Sequence, residues 1–302
     1  MKIAGQPARE DLLVSHLPTF MHIDEVARWA PSACQIGVRS APRGQPTLEI
    51  FAQGFTLVNP RNRLVSLRHR RWNAALAVGE FCWHMSARDD VDPLAYYAPI
   101  WRVYSENSNN IRGSCYGKKI FHANDGEKSS WAIARDFLQS DSETRRAVIS
   151  VGGYDVPMTD DVKDISCLQT LHFFIRNSKL HMITHMRSND AFIGLPYDIF
   201  LFSMFQEIMC AELEIDIGNY IHIADSLHIY ERDLDKYSFV INNESPSKEM
   251  GKIQTLNDLP LLLDFEERLR VHKVMGPMPS TEPWNEMAQI LVRFHNSNNG
   301  RV

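Results

Sequence analysis

Several things are scarce in this sequence, and each scarcity closes off a class of protein. No run of about 18 apolar residues occurs, so no transmembrane helix is expected. The first ten residues carry Lys2 and Arg9 with no apolar stretch behind them, so no signal peptide is expected either. Cysteine is sparse: Cys34, Cys82, Cys115, Cys167 and Cys210 are odd in number, scattered and without metal-ligand spacing. Reduced thiols in a cytoplasmic protein, with no metal, fit that pattern. Excess positive charge is also missing. A net charge of −5 argues against a nucleic-acid binder, so any phosphate must be met by local arginines. No internal repeat and no low-complexity linker break the chain.

What remains is an ordinary globular composition, 44% hydrophobic and 23% charged over 302 residues, enough for one domain with a sizeable core. Residues 47–59 predict two short strands around Gly54. Residues 72–86 predict a buried helix, apolar nearly all round, and 146–151 a buried strand. Residues 168–176 and 179–187 predict a hairpin with Asn177-Ser178 as its turn. Pro196 suits a first helical turn, and 197–213 continues at helical spacing. Residues 219–224 predict a further strand. The sum is an α+β domain, a sheet packed on long buried helices. Residues 255–272 and 283–295 predict amphipathic helices in a C-terminal elaboration.

The chemistry concentrates around Cys167. A lone cysteine beside a strand is more often a small core residue than a nucleophile. Here a hairpin would bring residues 167 and 187 to one end, and Arg187 beside the thiol would favour the thiolate. Asp190 and Asp198 bracket an apolar loop, as carboxylates at a pocket mouth do. On the residues alone, both readings stand.

The stretch Arg187-Ser188-Asn189-Asp190-Ala191-Phe192-Ile193-Gly194-Leu195-Pro196-Tyr197-Asp198, following Cys167 at a fixed interval, resembles the thymidylate synthase family. That family includes pyrimidine-nucleotide hydroxymethylases. His228-Ile229-Tyr230, Glu80 with Trp83, Trp101, Tyr116-Gly117 and Arg145-Arg146 match its other motifs in order. Roughly residues 40–232 are covered, with 233–302 divergent. The resemblance implies a thymidylate synthase-like fold and a homodimer formed through the sheet. It also implies a pyrimidine nucleoside 5′-monophosphate as substrate and 5,10-methylenetetrahydrofolate as one-carbon donor.

By the same resemblance, Cys167 would add to C6 of the pyrimidine. Glu80, held among apolar neighbours with a raised pKa, would manage proton transfers, and Tyr116 would line the site. Arg187 and Ser188 would hold the 5′-phosphate with Arg145 and Arg146 of the other subunit. Arg43 would be the mobile phosphate ligand, with Arg39 the alternative. Asp190, His228 and Tyr230 would contact the nucleotide. Trp101, Asp190, Gly194 and Arg70 would face the folate, with Arg70 and Arg71 near its anionic tail.

Two departures carry specificity. Asp198 stands where thymidylate synthases have Asn. Asn matches uracil's N3–H and O4; a protonated Asp can accept from cytosine N4 and donate to N3. The substitution occurs in the cytidylate and deoxycytidylate hydroxymethylases, so dCMP or CMP is the expected substrate. Leu168 stands where the methylating enzymes have His. A polar end, NSNNGRV, replaces their apolar closing tail. A site less well sealed by that end favours water trapping an exocyclic methylene to give the 5-hydroxymethyl nucleotide. A C5-methyltransferase on the same nucleotide, or a thymidylate synthase acting on dUMP, is the alternative.

Overall fold

The computed structural model describes residues 16–67, 70, 72–105, 109–152, 162–238 and 248–299. The polar end from Gly300, the first ten residues and Arg71 lie outside them. Among the described residues one mixed sheet is built from β1 (Thr19–Phe20), β2 (Val38–Ser40), β3 (Thr47–Leu57), β4 (Val148–Ser150), β5 (Leu168–Arg176), β6 (Lys179–Met186), β7 (Asn189–Asp190) and β8 (Asp216–Tyr230). Its order is β1-β3-β8-β6-β5-β4, with β2 also on β3 and β7 also on β8. The helices are α1 (Ile23–Cys34), α2 (Ala74–Met85), α3 (Asp92–Tyr97), α4 (Trp101–Tyr104) and α5 (Tyr116–Phe121). They continue with α6 (Ser130–Ser140), α7 (Gly194–Leu213), α8 (Leu234–Ser238), α9 (Leu259–Glu267) and α10 (Trp284–Asn299). The α+β reading holds, as does the strand at 146–151, shortened to β4.

The hairpin of β5 and β6 turns on Asn177 and Ser178, both at positive φ (50° and 57°). A two-residue turn of that hand matches the natural twist of the strands. β6 and β8 run parallel, which requires a crossover, and α7 supplies it. α7 is apolar on nearly every side and buried from Ile199 through Cys210, as a helix lying between layers must be. At its start, the Tyr197 hydroxyl accepts from the backbone N–H of Asn73 (3.0 Å). The Asn73 side chain in turn caps α2 through Ala75 and Leu76. The helices that carry Glu80 and Asp198 are thus tied at their N-termini.

One expectation is corrected. Residues 47–57 form a single strand, not two around a turn at Gly54. A Cβ at Gly54 would lie 2.7 Å from the His222 carbonyl, so this glycine permits close backbone approach by β8. The local kink falls instead at Ala52 (φ 53°).

The arginine-rich stretch that begins at Arg61 is partly buried. Arg63 is fully buried and pairs with Glu207 of α7, which Arg61 meets from its other oxygen at 2.7 Å. Glu207 also accepts from the Ile253 N–H. Removing one member of such a cluster strands the others in the core. Glu207→Gln should cost about 3–5 kcal/mol in a denaturant titration, and a loss under ~1 kcal/mol would contradict the burial described.

The C-terminal helices complete the core. Trp284 of α10 stacks on Phe81 of α2 at 6.1 Å, and the Tyr97 hydroxyl donates to Glu266 of α9 at 2.9 Å. α9 runs into a π-helical turn, Arg268–His272, so the helix expected over 255–272 is shorter and changes its winding late. No helix among the described residues is long and apolar enough to cross a membrane.

Candidate active site

Topology gathers the chemistry-bearing residues at one end of the sheet. Cys167 immediately precedes β5 and Arg187 immediately follows β6, and the Arg187 N–H donates to the Cys167 carbonyl at 2.9 Å. β7 sets Asp190 level with His228 on β8, at the carboxyl ends of the two parallel strands. Tyr230 follows two residues on, on the same side of the strand, with its ring 5.3 Å from that of His228.

The Cys167 loop is braced from both sides. Arg187 donates from Nε to the Ser166 carbonyl and from Nη2 to the Ile165 carbonyl, both at 2.9 Å. Asp164 accepts from the N–H groups of Gly113 and Ser114 (2.8 Å each) and from the Ser114 hydroxyl (2.7 Å). This buried carboxylate fixes the turn that leads into Tyr116. Tyr116 stacks on His84 (5.5 Å, 2° between planes), and its hydroxyl hydrogen-bonds the backbone of Leu168, next to the thiol.

Electrostatics sharpen the picture and amend part of it. Burial pushes the Cys167 thiol up, Arg187 and Arg43 pull it down, and Asp198 and Asp164 oppose them. Arg187 acts in the expected direction, but burial outweighs it, so Cys167 rests as a thiol and not as a thiolate. Glu80 is raised to about 8 by burial and by Asp198, against a stabilising hydrogen bond from Trp101. Asp198 is raised to about 7, again chiefly by burial, while the Asn189 amide donates to its Oδ2 at 2.7 Å. Both carboxyls therefore keep a proton into the neutral range, which suits proton handling over a heterocycle.

Other predicted positions separate. Arg43, at a tight turn with φ 52°, is felt by both Cys167 and Tyr230. Arg39 instead pairs with Glu231 at 3.4 Å. Of the two, Arg43 is the one whose charge reaches the Cys167 thiol. Ser188 is half-buried beside Arg187. Asp190 commits its Oδ1 to the N–H groups of Phe192 and Ile193, holding the turn into α7.

Arg145 and Arg146 are exposed, just before β4. Val148 pairs with His172, so extrapolated pairing sets Arg146 level with position 174, seven residues from Cys167. At the usual strand rise that is about 24 Å, out of reach of the same chain's thiol. Arg70 is 6% exposed, with its guanidinium 4.1 Å over the Phe192 ring.

Residues fitting a flat second ligand are present. Trp101 is half-buried and bonded to Glu80, with Tyr104 packed edge-on at 5.8 Å. A Cβ at Gly194 would lie 3.6–3.8 Å from Asp190, Asn189 and Asp198, so this glycine leaves a gap beside the acids. Its backbone needs no special conformation; the gap is what a side chain would fill. Gly194→Ala should fold normally yet raise KM roughly 10-fold for one or both ligands. Unchanged steady-state constants would show the gap to be unused.

Sequence reasoning missed His84, Asp164, Asn189, His222 and Tyr220. His84 lies one turn beyond Glu80 on the same face of α2, a spacing that could have flagged it. Its Nδ1 accepts from the Gly117 N–H at 3.0 Å, and burial pushes it down to about 3, leaving a neutral ring.

A thiol, two proton-retaining acids, an aromatic wall and an arginine rim make an arrangement able to support covalent chemistry on a small, flat, anionic molecule. The chain belongs to the thymidylate synthase family, whose model matches residues 33–266. It is 31% identical over 268 residues to the deoxyuridylate hydroxymethyltransferase of Bacillus phage SP01, covering 84% of this chain and 66% of the phage protein. It is 22% identical over 202 residues to the thymidylate synthase of Bacillus mojavensis, covering 66% of this chain and 71% of that enzyme. The family match extends past the motif-bearing stretch of roughly 40–232 and takes in most of α9.

Proposed function

We propose that this protein transfers a one-carbon unit from 5,10-methylenetetrahydrofolate to C5 of a cytidine 5′-monophosphate, dCMP or CMP. Water completes the reaction, giving the 5-hydroxymethyl nucleotide. The observation that carries the reading is Asp198, half-buried, its carboxyl raised to about 7 chiefly by desolvation, at the position that faces the base edge in the family. A neutral acid offers one acceptor and one donor, the complement of cytosine N4 and N3.

In this account Cys167 gives its proton to solvent and adds through sulfur to C6, the C5–C6 double bond opening to push electron density onto N3 and O2. Asp198 donates to N3 as that charge develops, which stabilises the transition state more than the ground state. Glu80, protonated up to about 8, holds and returns protons above the ring. Tyr116, bonded beside the thiol, fixes the floor of the site. Arg187 and Arg43 meet the phosphate and lower the cost of the thiolate. Bound folate supplies the one-carbon unit at the methylene oxidation level, with Trp101, Asp190 and Gly194 on its side of the site. His228 and Tyr230 face the sugar.

The exposed Arg145 and Arg146 have no ion-pair partner among the described residues. Their distance from their own Cys167 supports a homodimer through the sheet in which each chain completes the other's phosphate site. The five free cysteines support a reducing compartment, as the cytoplasm is.

The phage relative's name specifies a uracil nucleotide, which favours a second reading, hydroxymethylation of dUMP, with Asp198 matched to N3–H and O4. Mass analysis of the product with each nucleotide decides both questions. A hydroxymethylated cytidine nucleotide without dihydrofolate is the expected result. Dihydrofolate with a methylated base would assign methyl transfer instead.

A further inference from the structure

Behind Asp198 lies a chain of buried polar groups that the family motifs do not explain. The Asn189 amide donates from Nδ2 to Asp198 Oδ2 at 2.7 Å, and its Oδ1 lies 2.8 Å from His222 Nε2. His222 Nδ1 lies 2.7 Å from the Tyr220 hydroxyl. All three residues are buried, and the His222 ring stacks on Phe55 at 5.3 Å with 10° between planes. Tyr220 and His222 sit on one face of β8, two residues apart, while Asn189 comes from β7.

Each member has fixed donors and acceptors, so the chain can run in two directions only. In the first, Tyr220 O–H donates to Nδ1, His222 Nε2–H donates to Asn189 Oδ1, and the Asn189 amide donates to Asp198 Oδ2. In the second every bond reverses, and Asp198 Oδ2 must carry a proton. The first direction serves both the charged and the neutral carboxyl, whereas the second fails whenever Asp198 ionises. A neutral His222 is required for either, and burial pushes that ring down to about 3. The first direction therefore prevails, and it has a consequence. Oδ2 is always an acceptor, so the one proton of the neutral acid is held on Oδ1.

We propose that Asn189, His222 and Tyr220 are positioning residues that set which Asp198 oxygen carries the proton, and thereby which base edge the site accepts. The proposal rests on the reading of Asp198 as the base-facing group. An acid with its proton free to move between oxygens could present donor–acceptor to cytosine or acceptor–donor to uracil. An acid with one oxygen locked as acceptor presents one pattern only. Fixing the chain thus converts an ambiguous carboxyl into a selective one. A base with the wrong edge leaves a buried polar group unmatched, which lowers its rate by roughly 10- to 100-fold.

The test is the ratio of kcat/KM for a cytidine to that for a uridine monophosphate. It should be measured for the unaltered protein and for His222→Phe and Tyr220→Phe, with melting temperatures alongside. His222→Phe keeps a ring against Phe55 but removes the donor to Asn189. It should lower the ratio at least ~10-fold, through slower cytidine turnover and faster or equal uridine turnover. Tyr220→Phe should lower it by less. A purely structural role would depress both substrates in parallel and leave the ratio unchanged, and that result overturns the proposal. If the unaltered protein shows no preference for cytosine, the reading of Asp198 falls and this proposal with it. If it prefers cytosine and the variants do too, only the positioning role falls. Nitrogen-15 spectra of the imidazoles give a second readout. His222 should be neutral with its proton on Nε2 at about pH 7, and a proton on Nδ1 would contradict the direction assigned to the chain.

Discussion

Cys167→Ala is expected to abolish turnover, by ~10⁴-fold or more, while leaving nucleotide binding within a few-fold of the unaltered protein. The magnitude follows from removing the atom that forms the covalent bond, since the remaining groups can orient the base but cannot activate C5. Binding should survive because the arginines proposed to meet the phosphate, and His228 and Tyr230 proposed to meet the sugar, are untouched. The fold should survive as well. The thiol is half-buried, and its polar contact is a distant 4.0 Å approach to the Ile165 carbonyl. Mass spectrometry of the denatured protein after incubation with a 5-fluoro nucleotide and the folate gives a direct readout. The unaltered chain should retain a covalent adduct on the peptide containing Cys167, and Cys167→Ala should retain none. Catalysis by the variant within about 10-fold of the original would remove the thiol from the mechanism.

The second large effect belongs to Asp198→Asn. An amide set with its oxygen toward N3–H and its nitrogen toward O4 reverses the donor–acceptor match to the base, with two contacts of about 1–3 kcal/mol each at stake. The preference between cytidine and uridine monophosphates should shift toward uridine by roughly 10²–10⁴-fold. Accepting uracil sets the new amide nitrogen where Oδ2 was, so Asn189 must turn over and the chain to His222 and Tyr220 must run in its reverse direction.

A pH signature accompanies this substitution. Asp198 must be protonated to donate to N3, and burial holds it near 7. For the unaltered protein, kcat/KM with a cytidine nucleotide should therefore fall as pH rises through about 7. The variant acting on a uridine nucleotide should lack that limb and keep only the one set by Glu80, which falls below its unaltered value of about 8 once the Asp198 charge is gone.

Linkage gives the same group a stability signature. At pH values below about 4, Asp198 is protonated in both the folded and the unfolded chain and has no effect on their balance. Between there and about 7 only the unfolded chain releases the proton, so the folded state loses ground as pH climbs. The loss reaches a few kcal/mol and is complete once the folded carboxyl ionises as well. Asp198→Asn should therefore stabilise the unliganded protein at about pH 8 and have little effect at about pH 4. A variant equally stable at both pH values relative to the parent would show that the carboxyl is not desolvated.

What the sequence made legible was what local pattern encodes. The hairpin follows from turn residues at 177 and 178, and α7 from apolar spacing behind Pro196. The order of the motifs points to the end of the sheet where Cys167, Glu80 and Asp198 gather. What stayed hidden depends on contacts distant in sequence. Arg63 looks solvated because its partner, Glu207, lies on a helix that only the fold brings near. Gly54 resembles a turn because the β8 backbone pressing on it cannot be read from its neighbours. Thiol ionisation misleads for the same reason: Arg187 is adjacent in the hairpin, but the burial that outweighs it is a property of the whole site. The Asn189–His222–Tyr220 chain left one trace, a tyrosine and a histidine alternating at inward positions of a strand otherwise rich in isoleucine. Polar residues at core-facing positions need partners, and here the partners lead to Asp198.

The most direct test of the central claim is release of tritium from C5 of CMP, dCMP, UMP and dUMP in parallel, each with 5,10-methylenetetrahydrofolate. The account predicts release from a cytidine nucleotide at least ~10²-fold faster than from its uridine counterpart, dependent on Cys167. Release from dUMP alone would contradict it and hand the base assignment to the uracil reading.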